Sequence, residues 1–510
     1  MLTFGQLVRR NGVRWAEKDA FIELERRIGW AEFDRRTDAL GGALRGLGVA
    51  PGDRVAMLAS DCIEVAELFI ACAKIGAVRI GINARLAAPE IAHLIRNAGP
   101  VLLFVQAAYT KLAADALSLL DSAPEQAGFG GGHGCLHDYE ELIGRGQSDS
   151  PLEMSEGGDV MLAYTTGSTG MPKGAIYPHA AMLQSMLLIG LSEGMRQDDV
   201  WLHAMPAGGI PIMHMLRGTF HGAPTVIVGP WNPERALALI ERERVTITVL
   251  VPTQLTALLK CDAFEAHDLS SLRQLAYGAS PLPPATIREG MERFGCPFLQ
   301  MYGTTELMGM SMMLFPDDHH RGLSGQPEIL ASAGKALPYV ETAIVNDDGA
   351  PVAPGETGEL IVKTDFIVPG YRNAPEAYAE AVREGWLHTG DMARQDAQGY
   401  IYLGDRAKFR IKTGGYNVFP TEVENVLAEH PSVHEVSVVG LPDETWGERI
   451  HAVVVLKPGR QAETEELREY CRGKIADFKV PKTVEIWTDL PKGATGKILK
   501  RQIIASYTEE

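Results

Sequence analysis

The densest chemistry in the chain lies at residues 164–175, YTTGSTGMPKGA. Its Gly, Ser and Thr residues are poor core material. They offer backbone N–H groups and hydroxyls to an anion, and Lys173 adds a point charge. Such a loop suits phosphate, but it is not a Walker loop. That motif requires GxxxxGK followed by Ser or Thr, and here Lys173 stands between Pro172 and Gly174. The later GATGKILK fails too, because Ile498 follows Lys497. The flanks DVMLAY and AIYPHAAMLQSMLL predict a strand, the loop and then a helix.

Further stretches carry complementary residue types in a fixed order. YGASPLPP (277–284) has small residues that permit close approach of a flat ring. MYGTTE (301–306) combines an aromatic face at Tyr302, hydroxyls, and the carboxylate of Glu306, an oxygen ligand of the kind Mg²⁺ shares with phosphates. WLHTGD (386–391) ends on Asp391, an acidic type that binds ribose hydroxyls in other nucleotide sites. GYIYLGDRAKFRIKTGG (399–415) is rich in Gly and basic residues, and PKGATGKILK (491–500) closes the series.

YTTGSTGMPKG resembles the phosphate loop of the adenylate-forming superfamily, which reads close to YTSGTTGxPKG in that family and includes acyl-CoA synthetases. The other stretches resemble its remaining motifs, in family order, across essentially the whole chain. The resemblance implies an ATP site built from Thr165, Thr166, Gly167, Ser168, Thr169, Gly170 and Lys173, with Gly278, Ala279 and Ser280 beside the adenine. Tyr302, Gly303, Thr304 and Thr305 complete it, Thr305 reaching the α-phosphate, and Glu306 holds Mg²⁺. Asp391 and Arg406 are implied for the ribose and phosphate, and Lys408 for the hinge. Lys412, Gly414 and Gly415 fall on the surface of the second half-reaction, which uses CoA. Lys497 is the implied catalytic lysine. An ammonium there relieves the repulsion between an attacking carboxylate and the α-phosphate.

The chain also departs from the family pattern. Ala207, Gly208 and Gly209 stand about where many relatives carry an acyl-pocket histidine, which predicts a roomier or differently shaped pocket. His203 and His214 lie nearby as substitutes. Phe409 replaces a common Asp and Thr495 a common Asn, and neither change removes a charge the mechanism needs. WLHAMPAGGIPIMHMLRG contains no acidic residue, which argues against an amino-acid substrate and for an uncharged acyl or aryl tail.

These groups need a large scaffold. At 510 residues the chain is too long for one ordinary core. Strand-like DRVAMLAS, VRIGIN, PVLLFV, TVIVG and VTITVLVP alternate with helix-like AEFDRRTDALGGALRGLGV, IEVAELFIACAKIGAV, APEIAHLIRNAG, PERALALIERER and TQLTALLK. That alternation predicts an α/β domain with a largely parallel sheet. The texture changes after about residue 399, and residues 405–408 mark the boundary. The expected organisation is a large N-terminal ATP- and acyl-binding domain (1–405) of parallel and mixed sheets with helices, followed by a small mobile α+β C-terminal domain (406–510). GFGGGHG (128–134) misses GxGxxG because His133 takes the third glycine's place, and it reads as a surface loop.

Bulk composition narrows the partners. A net charge of −17 makes a poor general nucleic-acid binder. The six cysteines are scattered with no CxxC pair, as in a reducing cytoplasm. No signal peptide is visible at the start, and no run approaches the ~20 apolar residues of a membrane span. Peripheral membrane contact stays open, and a homodimer is the default oligomer. The reading is an ATP-, Mg²⁺- and CoA-dependent acyl-CoA synthetase of fatty acid metabolism acting on a small-molecule carboxylic acid. The run of motifs resembles bacterial fatty-acyl-CoA synthetases. Aryl- or alicyclic-acid ligases, a fatty-acyl–AMP ligase that loads a carrier protein, and a catalytically silent scaffold are the alternatives.

Overall fold

The computed structural model describes residues 3–146, 158–165, 172–280, 282–406, 409, 411–413, 416–443, 445–472, 474–475, 477–493 and 498–508. The chain divides into two compact units, one of Met1–Glu341 with Val362–Leu387, the other of Thr342–Ile361 with His388–Glu510.

Among the described residues, the first unit holds two large sheets. The seven-stranded sheet runs His137–Asp138, Glu125–Phe129, Leu102–Gln106, Arg54–Ala59, Val78–Asn83, Asp159–Tyr164, Gly174–Pro178. All neighbours are parallel except the last pair. In the nine-stranded sheet, parallel strands from Phe298–Thr304 to Asp19–Glu23 are flanked by antiparallel pairs at both ends. The predicted α/β alternation is therefore present.

Helix Ile63–Ile75 is buried on every face, as an all-round apolar helix requires. Its one cation, Lys74, is fully buried and donates to Asp34 Oδ1 and Asp38 Oδ1, both at 2.6 Å, and to Thr37 Oγ1 at 2.9 Å. Among the described residues no helix is long and apolar enough to cross a membrane.

Two local expectations are corrected. The loop at 165–173 leads not into a helix but into strand Gly174–Pro178, and the helix starts only at His179. Ala175 and Tyr177 are buried on one side of this strand, and the segment 370–372 pairs with its other edge. The string EELREYCRGKIADF (465–478) reads as one helix, but among the described residues the α-helix there is Thr464–Tyr470. The strand Glu125–Phe129 does run into GFGGGHG, where Gly130, Gly131, Gly132 and Gly134 all take positive φ, as a turn demands.

The second unit is built on a long antiparallel pair, Val433–Asp443 against Gly447–Leu456, with Thr483–Trp487 added in parallel. Helices Pro420–Ala428 and Thr464–Tyr470 supply Val423, Leu427 and Leu467 to a core with Val438, Ile450 and Val454.

Candidate active site

The described sequence-predicted residues of the first unit lie where its two sheets switch from parallel to antiparallel. Asp159–Tyr164 and Gly174–Pro178 form one hairpin, with Tyr164 opposite Gly174. The stem closes through Thr165 N–H donating to the Lys173 carbonyl at 3.0 Å and Lys173 N–H to Thr165 Oγ1 at 3.3 Å. Thr166, Gly167, Ser168, Thr169 and Gly170 lie outside the described residues. The following helix begins only at His179, so strand Gly174–Pro178 separates its N-terminus from Lys173.

The second hairpin joins Phe298–Thr304 to Gly309–Leu314 through the short turn Thr305–Leu307. Gly303 must be glycine, since a Cβ there would overlap the Gly309 carbonyl. Met308 closes the turn at φ 49°. Thr304 Oγ1 is buried with no hydrogen-bond partner among the described residues. Strand Gln274–Gly278 lies beside this hairpin, Gly278 paired with Met301, whose carbonyl oxygen would be 2.6 Å from a Cβ on Gly278. Ala279 takes φ 70° and is exposed with Ser280, whereas Tyr277 is buried against His319 Nε2 at 3.0 Å. Tyr277 is therefore core, and the small residues after it are the accessible ones.

The two hairpins are tied together. Tyr177 Oη donates to the Thr305 carbonyl at 2.7 Å, and Tyr371 Oη donates to Glu306 Oε1 at 2.7 Å. Burial first, and Glu306 second, push both phenols up, so both remain donors. Lys173 Nζ sits 5.4 Å from the centre of the Tyr371 ring, within cation–π range. The segment 370–372 is bonded to the first hairpin through Arg372 N–H to the Gly174 carbonyl at 2.7 Å and Ile176 N–H to the Gly370 carbonyl at 3.1 Å.

Helix Ala88–Ala98 props the stem from outside. Asn97 Oδ1 accepts from Tyr164 Oη at 2.8 Å, and His93 Nε2 lies 3.1 Å from the Pro172 carbonyl. Tyr371, Asn97 and His93 escaped sequence reading. Their partners lie 65 to 79 residues away, so no local spacing announces them. The one usable signal was an aromatic residue alone among turn-formers in VPGYRN.

Residues 203–217 carry three buried polar side chains, His203, His214 and Arg217. Ala207 is gripped at both ends of its backbone: its N–H donates to Asp61 Oδ1 at 2.7 Å, and its carbonyl accepts from Arg79 Nη2 at 2.8 Å. His203 Nε2 lies 3.2 Å from Asp61 Oδ2, out of line for a hydrogen bond. His214 is held well below the usual histidine range by burial, then by Arg217 and His203. Asp61 thus brings to this segment the carboxylate its own sequence lacks, with Oδ1 occupied by the Ala207 N–H. A Cβ on Gly208 would press on Asn83 N at 2.9 Å, while one on Gly209 would meet nothing within 4 Å.

In the second unit, Asp391 lies on a strand directly opposite Arg406, with its N–H donating to Thr389 Oγ1 at 3.1 Å. Glu359 braces this turn, accepting from Gly390 N–H at 3.0 Å and facing His388 Nδ1 at 2.8 Å. Lys412 is exposed, and its N–H donates to Glu448 Oε2 at 2.6 Å. Lys408, Gly414, Gly415, Lys497 and the Arg406 side chain lie outside the described residues. Among those described, no group of three or more His, Cys, Asp or Glu could hold a metal ion. A lone carboxylate such as Glu306 fits a Mg²⁺ that brings phosphate and water ligands with it.

Comparison with known proteins identifies the family and the fold. Residues 8–372 match the family described as AMP-binding enzyme, and residues 422–497 match the AMP-binding enzyme C-terminal domain. The chain is 35% identical to an indoleacetate–CoA ligase of Aromatoleum aromaticum, over 95% of this chain and 94% of the relative. It is 31% identical to the long-chain-fatty-acid–CoA ligase FadD13 of Mycobacterium tuberculosis, over 100% and 99%. Its fold matches that of the amide bond synthetase McbA from Marinactinospora thermotolerans with a TM-score of 0.88 at 30% identity, covering 99% of this chain and 100% of the other.

Proposed function

The chain belongs to the AMP-binding enzyme family of adenylate-forming acid–thiol ligases, and we propose that it is an acyl-CoA synthetase for a carboxylic acid with an apolar, uncharged tail. The observation that carries this is the union of Lys173, Thr305 and Glu306 at the tips of two adjoining hairpins. A cation and a hydroxyl type suited to phosphate stand beside a carboxylate suited to Mg²⁺.

In the first half-reaction a carboxylate oxygen of the acid attacks the α-phosphorus of ATP. The bond from that phosphorus to the β-phosphate oxygen breaks, and pyrophosphate leaves. Lys173 and the 165–170 loop bind the departing β- and γ-phosphates, and Thr305 orients the α-phosphate. Glu306 would hold Mg²⁺, which when bound would neutralise phosphate charge. Lys497 bridges the two anions that react, and Asp391 and Arg406 hold the ribose side. In the second half-reaction the CoA sulfur attacks the acyl carbon and loses its proton. The bond to the AMP oxygen breaks, releasing AMP. Splitting the condensation this way, with residues 406–510 turning about Lys408 between halves, lets one site serve both steps.

The proposed tail is supported by residues 203–217, which contain no acidic residue, while the Asp61 carboxylate that reaches them accepts from the Ala207 N–H. The relatives named above act on an aryl-acetic acid and on long-chain fatty acids, so both classes belong in the test. Purified protein with ATP, Mg²⁺ and aryl, alicyclic and graded alkyl acids should form AMP and pyrophosphate, with AMP release dependent on CoA. AMP formation that needs a phosphopantetheine carrier protein instead would move the acceptor from CoA to that carrier. No AMP from any acid would overturn the reading.

A further inference from the structure

We propose that Tyr371 is a positioning residue that joins the metal-binding carboxylate of Glu306 to the phosphate-binding ammonium of Lys173, so that ATP phosphates and their divalent cation are recognised as one unit. This rests on the nucleotide site proposed above and adds a residue outside its motifs. Three independent contacts converge on the short segment 368–372. Tyr371 Oη donates to Glu306 Oε1 at 2.7 Å, its ring lies 5.4 Å from Lys173 Nζ, and Val368 N–H donates to the Glu306 carbonyl at 2.8 Å. The same backbone pairs with the strand that follows Lys173, through Gly370 and Arg372. Tyr371 is 7% exposed as a residue, and its ring lies edge-on against Tyr378, so its direction is set by packing.

The choice of a phenol has a physical consequence. A Lys or Arg donor would orient Glu306 equally well but would cancel the charge that attracts a cation. A neutral hydroxyl fixes one carboxylate oxygen and leaves the full negative charge for the metal. On its face, the ring offers Lys173 a weak resting place from which phosphate can draw it. A carboxylate held in place binds the cation without first losing rotamer freedom.

The hydroxyl and the ring can be separated by substitution in the full chain. ATP binding is measured by calorimetry, in EDTA and across a Mg²⁺ series, for wild type, Tyr371→Phe and Tyr371→Leu. Tyr371→Phe should keep wild-type ATP affinity in EDTA and need about tenfold more Mg²⁺ for half-saturation, the scale of one charge-assisted hydrogen bond. Tyr371→Leu should weaken ATP binding in EDTA as well, because Lys173 loses its platform. Thermal melts identify a variant that does not fold; if Tyr371→Leu is one, the phenylalanine variant alone decides. A wild-type Mg²⁺ dependence in Tyr371→Phe would overturn the role of Tyr371, as would an equal loss with and without Mg²⁺, the mark of packing alone. A wild-type protein that binds no MgATP would bring down the nucleotide site itself.

Discussion

The two hairpins that carry the candidate site solve opposite problems. The first, around 165–173, spans its strands with a long Gly- and Ser-rich connection, and the contacts described at it are on its stem. The second turns within Thr305–Leu307, and nearly every group in it is fixed: Gly303 against Gly309, Met308 in the left-handed region, Thr305 and Glu306 by two phenols. A group that must wrap an anion needs many donors on one connection. A carboxylate that must meet a metal needs one orientation. Their difference is one of bracing: the described contacts fix the turn itself in the second hairpin and the stem in the first.

The strongest break in this comparison is at the braced hairpin. Glu306→Gln keeps the shape and removes the charge, and acid-dependent pyrophosphate release should fall by about a hundredfold or more in kcat/KM. Gly303→Ala attacks the bracing itself, and urea denaturation should show a loss of about 2–3 kcal/mol, the cost of forcing an atom into filled space. The matching change in the first hairpin, Gly174→Ala, meets only the Tyr164 ring at 3.0 Å and should cost clearly less. Lys173→Met should raise the KM for ATP about tenfold, with folding stability unchanged. Asn97→Ala removes a borrowed brace beneath Tyr164 and should lower stability by about 1 kcal/mol in the same denaturation assay. The smallest effect has the opposite sign: Ala279→Gly relieves a left-handed backbone and should stabilise by about 0.5 kcal/mol.

Much of the site's inventory was legible from residue strings, because anion and metal binding demand particular types at short spacing. Lys173, Thr305 and Glu306 come from strings that resemble family motifs, and the structure sets these three residues near one another. The alternation of strands and helices was legible for the same local reason. Strand Gly174–Pro178 was not: five residues, only some of them apolar, cannot distinguish a period of two from the start of the apolar helix behind them. Tyr371, Asn97 and His93 were invisible because each acts through a partner far away in sequence. Asp61 and Arg79 were hidden likewise, since their common partner is a backbone peptide 146 and 128 residues distant, and a peptide has no sequence signature.

That peptide sets how this enzyme can diversify. With both polar groups of Ala207 clamped by buried charges and Gly208 pressed on Asn83, the main chain there has nowhere to slide. Gly209, next in line, faces empty space. A side chain can therefore be added at position 209 without displacing the clamped residue two positions before it.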